Sequence, residues 1–434
     1  MVFGLFGKKK DDHEDEDDEE DLEPVSFLGP VSGQEVNLKA NGRLVEAGLI
    51  RAKDLVTDAL SRRADTIRIE PKGPQSVVTI LVDGMPYPGG KLAKAEGMAI
   101  TQMLKLLAGL DVKERTKPQS GGIKAEFETK PYILGIKSIP IADGERLLVR
   151  VTDSKLKLDT PPDLGMGDEM RVKLRELCAS PGIILVVGPT GSGTSTTLYA
   201  VVRNVDAYMY TIFVITDTEG RKLQQITPLE VNPKDDLKTT LARAARQEAN
   251  VILCDPLKEA EAAKALFSKH EDVMMLAEMG AKDTPAAVLQ LIEWVANPEI
   301  VGAGIKAILT QKLIRLLCPD CRMAYKPKSD FLKKLGLPED TQALYRKPPD
   351  PAEGSLEERC EKCGGMGYFG RTGMFEMLEM SDGMKQVLKT KPDAATIRSQ
   401  MKKDKMTSLQ QDGLRLVAEG KTSLEELQRV FKPA

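Results

Sequence analysis

Long hydrophobic runs are what this 434-residue sequence most clearly lacks. Its most apolar stretches, such as 182-GIILVVG-188, fall far short of the roughly 20 residues that cross a bilayer, which excludes a helical membrane span. No cleavable leader precedes the first acidic run, so a cytoplasmic location is expected. Aromatic residues make up only 4% of the chain, and no basic patch with interleaved aromatics occurs. The stacking platforms that bind single-stranded nucleic acid are therefore missing, and no nucleic-acid partner is expected. Histidine is scarce as well, with His13 and His270 alone.

Acidic charge, by contrast, is concentrated. Residues 11 to 23 (DDHEDEDDEEDLE) hold eleven acids, preceded by Lys8, Lys9 and Lys10, so a local charge of -8 sits within a net -3 and the body carries about +5. Such a block repels itself and stays solvated, which predicts a disordered acidic tail over residues 1–24, a solubilising or interaction segment. Its opening MVFGLFGKKK pairs an apolar patch with three lysines and can touch a membrane surface or partner, but it is too short to anchor alone.

Four of the six cysteines form two C-x-x-C pairs, Cys318/Cys321 and Cys360/Cys363, separated by 38 residues. Without a secretion signal, this pattern points to metal before disulfide, and four thiolates at these spacings can close a tetrahedral zinc shell. Cys178 and Cys254 lie in apolar surroundings and read as small core residues.

Along the chain, 42-GRLVEAGLIRAKDLVTDALSRRA-64 predicts a helix, 66-TIRIEP-71 and 77-VVTILVDG-84 two paired strands, and 93-AKAEGMAITQMLKLLAGL-110 a second helix. Two further strand-like runs, 132-YILGIKSIP-140 and 146-RLLVRV-151, complete an α+β domain over residues 40–153. A Pro- and Gly-rich linker spans residues 154–168. The rhythm then changes: short apolar runs 183-IILVV-187, 211-TIFVIT-216, 250-NVILC-254 and 273-VMMLA-277 alternate with helix-length segments. That alternation predicts an α/β unit with a largely parallel sheet covered on both faces. At 423-SLEE-426, Ser423 can cap a late helix while Glu426 reaches back.

The stretch 188-GPTGSGTSTTLYA-200 follows one of these apolar runs and precedes a helical one. Gly188, Gly191 and Gly193 permit a turn whose N–H groups converge on an anion, aided by the positive end of the helix dipole. The candidate nucleotide-binding residues run from Gly188 through Pro189, Thr190, Gly191, Ser192, Gly193, Thr194 and Ser195 to Thr196, with Ser195 at the magnesium-ligating hydroxyl position. Thr194, however, stands where a phosphate loop carries its lysine. A charge-assisted hydrogen bond is worth roughly 1.5–3 kcal/mol, and its weight grows in the transition state, so its loss harms hydrolysis more than binding. A plain Gly-rich turn without a ligand is the alternative reading.

This loop resembles GPTGSGKTTTLYA of the type II secretion and type IV pilus assembly ATPases, the GspE/PilB-like group. The likeness extends to 64-ADTIRIEP-71 with 82-VDG-84, 117-KPQSGG-122, 140-PIADGERLLVRV-151, 311-QKLIRLLCPDC-321, 360-CEKCGGMGYFGRTGMFEML-378 and 419-EGKTSLEELQRV-430, in one colinear order from about residue 40. The resemblance implies an α/β fold: a RecA-like P-loop NTPase core over residues 169–310, preceded by an N-terminal α+β, PAS-like regulatory domain. It also implies a tetracysteine zinc module over 311–378 and a C-terminal helical region over 379–434.

Position by position, the resemblance implies an emptied catalytic centre. The family's acidic box corresponds to 216-TDTEG-220, where Thr216 replaces the first acid and Asp217 remains. Its Walker B segment matches 246-RQEANVILCDPLKE-259, placing Pro256 at the glutamate with Asp255 one residue away. Gly280 and Val273 stand at its histidines, and His270 reads as a surface residue rather than a displaced one. Gly122 and Gly135 occupy two of its arginine positions while Arg150 survives. Asp217, Asp255, Glu259 and Arg150 are the remaining catalytic candidates.

The expected function is accordingly a catalytically impaired, nucleotide-binding structural or regulatory subunit of a type II secretion or type IV pilus machine, binding zinc and able to take ATP or ADP with Mg²⁺. The resemblance further implies a homo- or hetero-hexamer working with an inner-membrane platform protein, peripheral at the inner membrane. Two alternatives stand beside it. One is an active ATP-hydrolysing motor with relocated groups, including a cation such as Lys222; the other is a RecA-like nucleic-acid-binding protein.

Overall fold

The computed structural model describes residues 23–203, 205, 209–215, 226–229, 235–254, 256–337, 340–349, 359–390 and 392–432. The acidic run up to residue 22, Asp217, Lys222, Asp255 and the 350–358 part of the segment between the cysteine pairs lie outside them. The chain divides into two compact units between Lys157 and Leu158.

In chain order the first unit comprises β1 (Ser26–Pro30), α1 (Gly42–Ser61), β2 (Thr66–Lys72), β3 (Gln75–Val82), β4 (Met85–Ala93), α2 (Lys94–Leu107), β5 (Gln119–Phe127), β6 (Lys130–Ile141) and β7 (Gly144–Asp153). Its strands form one antiparallel sheet in the order β1-β5-β6-β7-β2-β3-β4. Alternation along β3 buries Ser76, Val78, Ile80 and Val82, and α2 lays Ile100, Met103, Leu104 and Leu107 on that face at helical spacing. Gly97 permits this approach, since a Cβ there would stand 2.3 Å from Ser76 Oγ. The fully buried Lys105 points into the same layer, where Nζ meets Glu145 Oε1 at 2.6 Å and the Glu114 carbonyl at 2.8 Å.

The second unit opens with α3 (Asp168–Leu177), β8 (Gly182–Gly188), α4 (Thr194–Arg203), β9 (Ile212–Val214), β10 (Thr227–Pro228), α5 (Leu237–Arg246), β11 (Val251–Leu253), α6 (Ala260–Phe267), β12 (Met274–Gly280), α7 (Thr284–Val295) and α8 (Pro298–Gly304). It continues with β13 (Ile305–Leu317), β14 (Met323–Tyr325), α9 (Ser329–Leu335), β15 (Leu344–Arg346), β16 (Tyr368–Glu379), α10 (Asp382–Lys389), α11 (Ala394–Lys403), α12 (Leu409–Ala418) and α13 (Leu424–Phe431). Among the described residues the central sheet runs β10-β9-β11-β12-β8-β13-β16. Every pair is parallel except β13 with β16.

β8 is buried along its whole length, as its uninterrupted apolar sequence requires. Ile183, Leu185 and Val187 enter one core with α5, α6, α7 and α10, while Ile184 and Val186 enter another with α3 and α4. This two-sided burial is the α/β class expected from the alternating apolar runs. The expected boundaries at 310/311 and 378/379 fall inside β13 and β16, which are continuous core strands. The cysteine-bearing segment is thus an insertion between two strands of the central sheet, covered by a satellite core of Ile314, Leu344, Met374, Leu416 and Leu427.

Candidate functional site

The chain leaves β8 at Gly188 and enters α4 at Thr194, so the loop sits at the carboxyl end of a central parallel strand, where α/β folds place their ligands. Gly191 and Gly193 have φ of 84° and 86°, a backbone that side chains rarely adopt. Among the described residues nothing lies within 4 Å of a Cβ built at Gly191, so none of them covers the outer face of the turn. The inner face is filled: a Cβ at Gly188 would stand 2.2 Å from Ser192 Oγ and 2.8 Å from the Gln311 carbonyl.

Two side chains absent from the sequence-based candidates hold this turn. Gln311, buried on β13, donates from Nε2 to the Ser192 carbonyl at 2.8 Å and accepts from Thr197 Oγ1. Glu278, half-buried near the end of β12, accepts from Ser195 Oγ at 3.0 Å on each carboxylate oxygen. A lone acid inside 273-VMMLAEMG-280 and a Thr-Gln pair inside the buried 305-IKAILTQKLIRLL-317 were the available signals, since buried strands seldom carry polar side chains without partners.

A comparison with family models matches residues 44–429 to the family described as type II/IV secretion system protein. The chain belongs to that family. Type II secretion system protein HxcR of Pseudomonas aeruginosa is 30% identical over 387 residues, covering 88% of this chain and 76% of that protein. Type II secretion system protein E of Dickeya dadantii is 30% identical, covering 87% and 74%. The type IV pilus assembly ATPase PilB of Thermus thermophilus is 28% identical over 86% of this chain, which spans only 42% of that relative. Two solved structures share the fold at low identity. The Yersinia pseudotuberculosis ATPase DotB has a TM-score of 0.54 at 15% identity, covering 87% of this chain and 92% of its own. The pilus retraction motor PilT with bound ADP has a TM-score of 0.52 at 14% identity, covering 88% and 96%.

Thr194 opens α4 and brings no charge to the loop. Pro256 follows β11, and the next residue, Leu257, donates its N–H to the Glu278 carbonyl at 2.8 Å. Among the described residues the acid that meets the loop is Glu278 on β12, one strand nearer to β8 than β11, which Pro256 follows. Glu259 is exposed at the N-cap of α6, without a side-chain cap bond. Arg150 lies on β7 of the first unit, opposite Thr66 and Gly135. His270 is not the surface residue expected: its side chain is 15% exposed and Nδ1 lies 2.6 Å from the Phe267 carbonyl, a fixed structural contact.

The four paired cysteines converge. Their sulfur atoms all lie within 4.8 Å of one another, at 3.9 Å for Cys318–Cys360 and 3.7 Å for Cys321–Cys363. A tetrahedral zinc site with Zn–S of about 2.3 Å has an S···S edge of about 3.8 Å, so the donor set fits that ion. Surrounding bonds fix the ligands: Gly367 donates to Cys363 Sγ at 3.3 Å, and Asp320 pairs with Lys362 across the two knuckles at 3.0 Å. Cys178 and Cys254 are buried elsewhere, and burial alone pushes the Cys178 thiol up to about 12.

Proposed function

We propose that this secretion-family chain is a nucleotide-binding, catalytically impaired structural or regulatory subunit of a type II secretion or type IV pilus machine. What carries the reading is a held phosphate loop without its charge: Gly191 and Gly193 keep the turn and Gln311 clamps it, while Thr194 supplies no ammonium. Backbone N–H groups and the α4 dipole suffice to bind a phosphate, whereas stabilising the transferring phosphoryl requires cations. In this reading ATP or ADP with Mg²⁺ occupies Gly188 to Thr196, zinc occupies the four thiolates, and the chain works in a hexamer beside an inner-membrane platform protein. No helix among the described residues is long and apolar enough to cross a membrane.

An active motor is the second reading, favoured by the acid that Glu278 brings to Ser195. Calorimetric titration of zinc-loaded protein with Mg-ATP and Mg-ADP, with phosphate release followed on the same sample, separates them. Binding without release supports the proposal. Sustained release that a Gly193 substitution abolishes establishes the motor, and no binding leaves a purely structural subunit.

A further inference from the structure

Glu278 continues the β12 row of Met274 and Leu276, whose side chains pack with Val186 and α4 in the second core. At the carboxyl end of the sheet that row leaves the core, and Glu278, opposite Val186, meets Ser195 in the first turn of α4. An apolar residue would extend the packing there. The carboxylate instead brings a full negative charge to the edge of a loop shaped for anions. Among the described residues no ion pair is made to Glu278, and the loop's own position for a cation is the neutral Thr194. A metal-free polyphosphate entering this loop meets a like charge there, and among the described residues no ion pair to Glu278 offsets it. A hydroxyl and a carboxylate oxygen 3.0 Å apart are, on the other hand, hard donors of the kind magnesium takes alongside phosphate oxygens.

We propose that Glu278 makes nucleotide binding by this chain strictly dependent on a divalent cation, held by the Glu278 carboxylate, the Ser195 hydroxyl and the phosphates together. The proposal rests on the nucleotide-binding reading above and deepens it: the ligand is the metal–nucleotide complex and not the free nucleotide. Glu278 is then a binding residue for the cation and an electrostatic gate against its absence.

The test is calorimetric titration of the zinc-loaded full chain with ADP, in excess MgCl₂ and in buffer freed of magnesium without a chelator, for the parent protein and for Glu278→Gln. Zinc content and thermal midpoint are measured on both. The parent is expected to lose at least about tenfold in affinity without magnesium, the effect of an unscreened neighbouring charge. In Glu278→Gln the magnesium dependence is expected to fall below about threefold, because the repulsion and a metal ligand go together. Glu278→Asp, which keeps the charge on a shorter arm, is expected to retain the dependence and serves if the glutamine variant is misfolded. Equal parent affinity with and without magnesium overturns the proposal, as does a glutamine variant that keeps the full dependence. Binding by no variant under either condition overturns the nucleotide-binding reading and the proposal with it.

Discussion

The Gln311 side chain spans the phosphate loop, donating to the Ser192 carbonyl at 2.8 Å while accepting from the Thr197 hydroxyl, across sequence separations of 119 and 114 residues. One amide on β13 thereby ties the last turn of the loop to the first turn of α4. Both Gln311 and Thr197 are buried, so neither can exchange its partner for water without opening the core.

Gln311→Leu is therefore expected to destabilise the second unit by about 1–3 kcal/mol, the cost of orphaning buried polar groups. It should also weaken nucleotide binding by loosening the turn. Urea unfolding and calorimetry measure the two effects. Adding Thr197→Val removes one of the orphans, so the double variant is expected to be more stable than the sum of the single losses, a coupling that a double-mutant cycle reads directly.

The cysteine cluster predicts one zinc per chain by elemental analysis. Stripping it with a chelator, or Cys360→Ser, is expected to destabilise the second unit while leaving the first untouched. Each kcal/mol lost should lower that unit's thermal midpoint by about 2–4 °C. Because the knuckles join β13 and β16, hydrogen exchange should rise first around Gly367 and Tyr368, where Cys318 N–H donates to the Gly367 carbonyl. Unchanged stability with zinc removed would mean that the thiolates are not a structural site.

How much of this was legible beforehand depended on whether local pattern and tertiary role agreed. The amphipathic α1 and α2 and the apolar β8 announce themselves because periodicity and burial coincide. The strand β4, MPYPGGKLA, is hidden in the sequence because Pro86 and Pro88 argue against a strand; it lies at the sheet's edge, where lost ladder donors cost little. β1, with Gly29 and Pro30, is hidden at the other edge for the same reason. The cysteine spacing foretold convergence, since two short knuckles have one useful closure. Glu278 and Gln311 could not be foreseen as partners of the loop, because strand order decides which strands flank β8, and one sequence does not state that order.

Glu426 provides a pH test of the C-terminal region. Its side chain is fully buried, accepting from Arg315 and Arg429 at 2.6 Å each, while Arg315 also stacks on Tyr368 at 4.0 Å. Burial pushes its carboxyl up, but the hydrogen bonds and charges of Arg429 and Arg315 outweigh that and hold it below the ordinary value of 4.5. A depressed carboxyl contributes stability that is present above about pH 4.5 and lost as pH falls through the lower folded value. Glu426→Gln is expected to cost about 3 kcal/mol at neutral pH, the low end for removing one partner of a buried pair, because Arg429 is partly exposed. The loss should shrink in acid, so unfolding curves of parent and variant converge below pH 4.5; parallel curves would show that Glu426 is not the titrating group.

Restoring the charge at position 194 separates binding from turnover. In Thr194→Lys a new ammonium at the start of α4 can reach the phosphates and offset Glu278. One charge-assisted bond is worth roughly 1.5–3 kcal/mol, so affinity for Mg-ADP and Mg-ATP is expected to rise about 10- to 100-fold. Turnover is not expected to follow. Pro256 still offers no carboxylate to orient water, and Gly280 adds no side chain at the end of β12. Phosphate release should therefore stay at background even with the site saturated. If it rises to sustained turnover, Glu278 or another acid is activating water, and the chain is one substitution from a motor rather than several. If affinity does not rise either, the loop does not present position 194 to a nucleotide, and the phosphate-binding reading of residues 188–196 fails.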